Sequence, residues 1–416
     1  MTTDATTDDP AAKPKRKSRA KKADTPAKTL VLERAALIRA LDILVPFVPR
    51  KPVQPYEAGV RIATVDDDRL ELTVVDGFEV SAAVRLPLPD GITTSPADPE
   101  VWDARRLRDM LKGVRGMFVT LDFTDRAKAS VTGDQSGSYT LPLYRDPSEF
   151  PVIAWNPEDT WHAEAQPFFD ALSRVAYAVG TVVDPPAYRN AQVDEDGVVC
   201  GFNGACMQRS TLPRWVDNPL LVPDIVLNRL GCFDSVAGDA VFILHGSAAE
   251  GRQDFIGLSR GVASIDMEVT VAYARPRVDP HDLTRAWEVV DAALEGSGML
   301  RLPVADLLGA LDSAKVQADP RMAVVEFDLD ATVELRSGLD DTNRFAYRFD
   351  GVTYSGKAGH RCYVGLYELL HMVEGTPDEF VDLFIEETST GAAREPYVQF
   401  TDSTGSRAVI QTVRGM

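Results

Sequence analysis

Cysteine is scarce. The 416 residues hold four, Cys200, Cys206, Cys232 and Cys362, and their spacing forms neither a CxxC pair nor a zinc-finger pattern. A disulfide framework is excluded, and reduced thiols in a cytosolic protein are expected. Histidine numbers five, scattered, with no HExxH cluster. No metal site and no cofactor are expected. Long apolar runs are missing too: no stretch reaches the eighteen residues that a membrane helix needs. The first residues are polar, so no secretory leader is expected. No paired-carboxylate, Ser/His/Asp or Cys/His arrangement is specific enough to suggest catalysis, and the chain is not expected to be an enzyme.

Positive charge is also in deficit. Lys and Arg total 44 against 63 Asp and Glu, a net charge of −19. The deficit is uneven. Residues 1–29, which include AAKPKRKSRAKKADTPAK, carry eight basic and four acidic residues. The remainder then holds 36 basic against 59 acidic residues, a net −23. The tail has few large apolar residues to offset its chain entropy, and disorder is expected there. It suits a non-specific nucleic-acid tether or a solubilising extension.

What is present is repetition. A chain of this length exceeds one ordinary core, and its elements recur in order. Helix-like LERAALIRALDIL (32–44) and DARRLRDMLKGV (103–114) alternate with short strand patterns such as RLELTVV, FEVSAAVRL and SYTLPLY. RDPSEFPVIAWNPED reads as a linker because its prolines and acids break strands. PFFDALSRVAYAVG (167–180) and PDIVLNRLGCF (223–233) repeat the two helices, with NAQVDEDGVVCGFNG as a hairpin between them. PVADLLGALDSAKV (303–316) and YVGLYELLHMV (363–373) repeat them again. The spacing predicts an α+β protein of three similar domains, 30–155, 156–282 and 283–416, each with two helices on antiparallel sheets.

Five basic residues crowd into VWDARRLRDMLKGVR (101–115). At 100° per residue, Ala104, Leu107, Met110, Leu111 and Val114 form the face that packs on a sheet. Arg105, Arg108 and Lys112 share another face. Arg50 and Lys51 follow the first helix, and Arg174 and Arg229 lie on the helices of the second unit. Cations gathered on helices of an acidic body fit a surface that holds phosphates without reading bases, while the acidic exterior repels DNA elsewhere.

At this point the sequence resembles the bacterial DNA polymerase III β subunit, the sliding-clamp family, over about residues 30 to 416. RKPVQPYEAGVRIATVDDDRLELTVVDGFEVSAAVRL resembles the family's first-domain segment, and SYTLPLYRDPSEFPVI its first domain junction. FFDALSRVAYAVGTVVDPPAYRNAQVDEDG resembles the opening of its second domain. YVGLYELLHMV and YVQFTDSTGSRAVIQTVRGM resemble its last helix and final strands. The resemblance implies a head-to-tail homodimer, a ring of six domains around duplex DNA with helices lining the hole. It implies a processivity factor in the cytoplasm, one that tethers the polymerase, the clamp loader and other replication or repair proteins through short peptide motifs. The implied peptide pocket comprises Gly204, Met207, Val364, Tyr367, Tyr397, Val409, Ile410, Val413 and Met416. The chain departs from the family at FNGACM, usually TDGHRL, and at its TVRGM end, usually Met-Pro-Met-Arg-Leu-like. These departures bear on the identity of the bound peptide.

Two rivals remain. GVTYSGKA has P-loop spacing at Gly351, Gly356 and Lys357, but Ala358 replaces the hydroxyl that reaches Mg²⁺. A nucleic-acid-binding scaffold that never closes a ring would use the same basic helices, and stoichiometry separates it from a clamp. Acid-rich DLDATVELRSGLDD is expected to be a solvated hairpin.

Overall fold

Alternation builds the strands. In VVEFDL (Val324–Leu329) the side chains of Val325, Phe327 and Leu329 are fully buried. Glu326 and Asp328 on the opposite face meet Arg336 of the neighbouring strand at 3.5 and 2.7 Å. Helical periodicity does the same for Ala104–Gly113, where Ala104, Leu107 and Leu111 are buried. That helix starts where the Asp103 carboxylate accepts the Arg106 amide at 2.9 Å.

The structure is a computed structural model. It describes residues 29–412, apart from 66–68, 78, 89–98, 126–127, 136, 143–146, 154, 181–184, 216–217, 249–252, 262–265, 281, 319–322, 331, 339–344, 375 and 387–396. The basic tail expected to be disordered lies outside the described residues but for Thr29, which opens a strand.

The described strands fall into three successive sets of eight. The first is β1 (Thr29–Glu33), β2 (Gly59–Val65), β3 (Arg69–Asp76), β4 (Val80–Pro87), β5 (Glu100–Asp103), β6 (Phe118–Asp122), β7 (Lys128–Gly133) and β8 (Ser138–Pro142). The second is β9 (Trp155–Glu164), β10 (Asn190–Val193), β11 (Val198–Phe202), β12 (Cys206–Thr211), β13 (Leu220–Pro223), β14 (Ala240–Ala248), β15 (Asp254–Gly261) and β16 (Glu268–Ala274). The third is β17 (Gly298–Pro303), β18 (Val324–Leu329), β19 (Val333–Ser337), β20 (Phe345–Phe349), β21 (His360–Gly365), β22 (Phe380–Ile385), β23 (Tyr397–Thr401) and β24 (Arg407–Gln411). The helices are α1 (Arg34–Leu44), α2 (Ala104–Gly113), α3 (Ala165–Ala176), α4 (Asp224–Leu227), α5 (Thr284–Leu294), α6 (Val304–Gln317) and α7 (Leu366–Val373).

Each set divides into two half-sheets of four, and the half-sheets join across unit boundaries. One eight-stranded sheet runs β5-β2-β3-β4-β16-β15-β14-β9, and another runs β13-β10-β11-β12-β24-β23-β22-β17. The seams are β4 against β16, with Val84 opposite Val269, and β12 against β24, with Met207 opposite Val409. Two half-sheets stay four-stranded, β1-β6-β7-β8 and β20-β19-β18-β21. The first and second units share one continuous apolar core, and the third has a second core that takes in Ala178 and Cys206 of the middle unit.

Several elements differ from the sequence expectation. The stretch read as a linker, 145–159, ends inside β9, a ten-residue strand. Pro157 is tolerated because β9 lies at the edge of its sheet and the register slips opposite His245 and Gly246. The helix expected over 223–233 is a single turn, α4, followed by a 3-10 turn at Leu230–Phe233. Helix α5, lying where the third unit was expected to begin, was not expected at all. The glycine-containing GVTYSGKA runs from β20 into strand β21, not into a helix, so no helix N-terminus stands ready for a phosphate.

Candidate nucleic-acid interface and partner surface

At the seam of the first two units lies an open groove of about 1400 Å³. Its helical side brings together Arg50, Arg105, Arg108 and Arg229, four of the seven cations singled out in the sequence. Three more arginines, Arg189, Arg275 and Arg277, come from the turn before β10 and the segment after β16. Against these seven stand, among the described residues, three carboxylates, Asp42, Glu79 and Asp224, a local balance of +4 in a chain of net −19.

The helical cations are not idle. Arg105 donates to the carbonyl oxygens of Val48 and Pro49 at 2.6 and 3.1 Å and so pins the turn that follows α1. Only part of its guanidinium fork remains for a ligand. Arg108 bonds Asp109 at 3.1 and 3.2 Å and lies 3.9 Å from Asp42. Lys112, exposed beside the groove, reaches the same Asp42 carboxylate at 3.0 Å. Arg229 donates to the Ile225 carbonyl at 3.1 Å, meets Asp76 at 3.4 Å, and its guanidinium sits 5.3 Å from the centre of the Phe47 ring. Burial raises the Asp76 carboxyl above its ordinary value, an effect larger than the opposing pull of Arg229. Arg50 and Lys51 are exposed after α1.

Arg174 stands apart. It lies at the other seam, where it donates to Thr404 and Ser406 at 2.6 and 2.9 Å and pairs at 3.5 Å with the buried carboxylate of Asp402. Arg174 is therefore not among the described residues that line the groove: Asp402 draws it to the turn between β23 and β24.

Of the nine residues expected to form a peptide pocket, seven are described, and their surroundings differ. Val364 and Ile410 are 0% and 2% exposed, inside the core of the third unit. Met207 and Val409 face outward from the seam sheet but lie under α5, packed with Leu283, Trp287, Val290 and Cys200, with Tyr397 beside them. Gly204 is exposed in the turn between β11 and β12, where a φ of +89° favours glycine. Tyr367 is partly exposed on α7, its ring 6.0 Å from the Lys315 ammonium. Val413 and Met416 lie outside the described residues.

Sequence reasoning missed α5, although Leu283, Ala286, Trp287, Val290 and Leu294 have helical spacing. Two guanidinium groups lie against the Trp287 ring, Arg209 at 4.7 Å and Arg407 at 5.1 Å, and Arg407 also pairs with Asp291 of α5. Beside the helix runs a cleft of about 700 Å³ lined by Val198, Cys200, Arg209 and Trp287 and rimmed by acids of the β10–β11 turn. Burial drives the Cys200 thiol up to about 12, and likewise Cys206 and Cys362. All four cysteines are free and buried.

Three units of eight strands and paired helices, joined by sheets that cross their seams, define the clamp fold. Solved structures with that fold match nearly the whole chain. A DnaN sliding clamp (DNA polymerase III subunit beta) from Bartonella birtlesii, bound to griselimycin, matches with a TM-score of 0.75 at 14% identity, covering 94% of this chain and 100% of that one. DNA polymerase III beta subunit from Thermotoga maritima matches with a TM-score of 0.74 at 12% identity, covering 93% and 100%. The Pseudomonas aeruginosa sliding clamp, also bound to griselimycin, matches with a TM-score of 0.72 at 15% identity, covering 94% and 100%. No family model matches the chain, and no curated protein is found as a relative. The fold is thus that of the bacterial sliding clamps. No helix among the described residues is long and apolar enough to cross a membrane.

Proposed function

We propose that the chain is a DNA sliding clamp, a cytoplasmic processivity factor that closes as a head-to-tail homodimer around duplex DNA. One topological relationship carries the reading. By position in the repeat, β4, β12 and β20 are equivalent, and so are β8, β16 and β24. Within the chain β4 pairs with β16 and β12 pairs with β24. The third pair, β20 with β8, has its two members at the outer edges of separate half-sheets. A second copy supplies the missing partner: β20 of each protomer extends the sheet of β8 in the other. Unpaired edge strands invite such pairing, and a head-to-tail contact generates a ring when its rotation closes.

In the ring, Arg50, Lys51, Arg108, Lys112 and Arg229 face DNA phosphates, and Arg105 positions the turn that carries Arg50. Arg174 holds a unit seam. Such a ring needs little contact energy, because topology keeps it on DNA, and it performs no catalysis. The polymerase and clamp loader dock through short segments at the seam of the second and third units, in the cleft that α5 walls.

The test combines mass and topology. Light scattering should give a dimer, and electron microscopy a closed ring of six lobes. Protein loaded on nicked circular DNA should be retained and should be released when the circle is linearised. A monomer at micromolar concentration, with equal retention on circular and linear DNA, would replace the clamp by a non-ring nucleic-acid scaffold.

A further inference from the structure

The arginines at the rim of the groove lie off the inward helices. Arg275 and Arg277 are exposed on the segment that leaves β16, and Arg189 closes the turn Pro186–Arg189 ahead of β10. The Arg275 amide donates to the Asp254 carbonyl at 2.8 Å, which fixes the segment against β15. Prolines 186, 223 and 276 line the same groove and stiffen its walls. A second cavity of about 520 Å³ shares Gln253 and the stretch Arg275–Val278 with the groove, so the two hollows meet at the crest that carries Arg275 and Arg277.

What would occupy this path? The groove exceeds the roughly 300–1000 Å³ typical of small-molecule sites, and an extended polymer fits it better. Its charge calls for an anion. Among the described residues its one aromatic side chain, Tyr273, is fully buried and donates its hydroxyl to the Leu221 carbonyl at 3.0 Å. Single strands are held by stacking bases on exposed rings, and none among the described residues lines this groove. Guanidinium groups without rings suit the backbone phosphates of a duplex.

We propose that Arg189, Arg275 and Arg277 form a phosphate track continuous with the cations of the helical face, which holds the backbone of duplex DNA where it passes the seam of the first two units. The proposal rests on the clamp reading for the direction from which DNA arrives. The rest of the body is acidic, so the track is also the route by which duplex passes the rim with least repulsion.

The experiment is fluorescence anisotropy of a labelled 30-base-pair duplex with the full chain, titrated between 50 and 200 mM salt. Wild type is compared with Arg275→Glu plus Arg277→Glu, with the milder Arg275→Ala plus Arg277→Ala, and with Arg214→Glu. Arg214 is an exposed residue paired with Glu164, away from the groove. Each phosphate contact contributes about −0.9 to the log–log salt slope, so both double variants should shallow it by about 1.8. Arg214→Glu should leave it unchanged. An unchanged slope in both double variants, or no duplex binding by wild type at 50 mM salt, overturns the track. So does loss of binding to polyglutamate with duplex binding intact, which would assign the groove to an acidic protein segment. Mass and linearisation measurements on the same preparations separate the two claims. Rings that release on linearisation while the slope stays unchanged sink the track alone. A shallowed slope in a chain that never forms rings keeps the track and sinks the clamp.

Discussion

The guanidinium of Arg407, on strand β24 of the seam, stands 5.1 Å from the centre of the Trp287 ring on helix α5. Trp287 is 5% exposed and closes the apolar layer over Met207, Val409 and Cys200. Trp287→Ala should destabilise the protein by about 3–5 kcal/mol if the loss is global, as for other large core truncations. The diagnostic readout is thiol chemistry. With its pKa near 12 and its sulfur buried, Cys200 should react negligibly with Ellman's reagent in native wild type at pH 8. In Trp287→Ala it should react much faster than Cys362, which stays buried in the core of the third unit and is exposed only by unfolding. Equal, slow reaction of Cys200 and Cys362 in the variant would show that α5 stays seated without its tryptophan.

Asp42 neutralises two of the cations assigned to DNA, at 3.0 Å from Lys112 and 3.9 Å from Arg108. Asp42→Asn frees Lys112 from this carboxylate and leaves Arg108 with Asp109 as its acidic partner. Duplex affinity at 50 mM salt should rise by roughly two- to fivefold, and the gain should shrink at 200 mM as screening grows. Anisotropy titration measures it, and a fall in affinity would mean that Asp42 orders the two cations for binding.

Arg174 should behave differently. Its partner Asp402 has a side chain only 2% exposed and also accepts the Thr404 and Ser406 amides at 2.9 and 3.0 Å. Removing one member of such a pair strands the other, so Arg174→Ala should cost about 3 kcal/mol in denaturant unfolding. Its salt slope for duplex binding should match wild type. A shallower slope at unchanged stability would return Arg174 to the DNA-facing set.

Ring closure through β8 is open to a proline test. Tyr139 and Thr140 are adjacent exposed residues of that strand, so their N–H groups point to opposite edges. Of Tyr139→Pro and Thr140→Pro, the one whose N–H faces away from β7 should give a folded monomer by light scattering, because it removes a donor from the intermolecular ladder. Two variants that both remain dimeric would place the subunit contact elsewhere.

Much of the frame was legible. The segments 32–44, 103–114 and 303–316 read as helices, and the structure has α1, α2 and α6 there, because their apolar residues recur on one face. The second helix of the middle unit was legible only in part: 223–233 has helical periodicity, yet its backbone leaves the α-helix after Leu227. The ten-residue β9 was hidden by Pro157, which an edge position accommodates.

The site was less legible than the fold. A helical wheel placed Arg105, Arg108 and Lys112 on one face without showing that Arg105 serves backbone carbonyls or that Asp42 answers the other two. Arg275 and Arg277 lay in a proline-rich connection with no periodicity to mark them. By itself the sequence determined the number of units, the strand and helix faces and the sign contrast between helices and body, since these follow from local periodicity and composition. Tertiary structure decided which half-sheets join, which edges stay unpaired, that α5 covers the outer seam and which arginines share a groove. Those outcomes depend on residues far apart in the chain, such as Arg229 beside Asp76 and Trp287 beside Arg407, whose proximity no local pattern encodes.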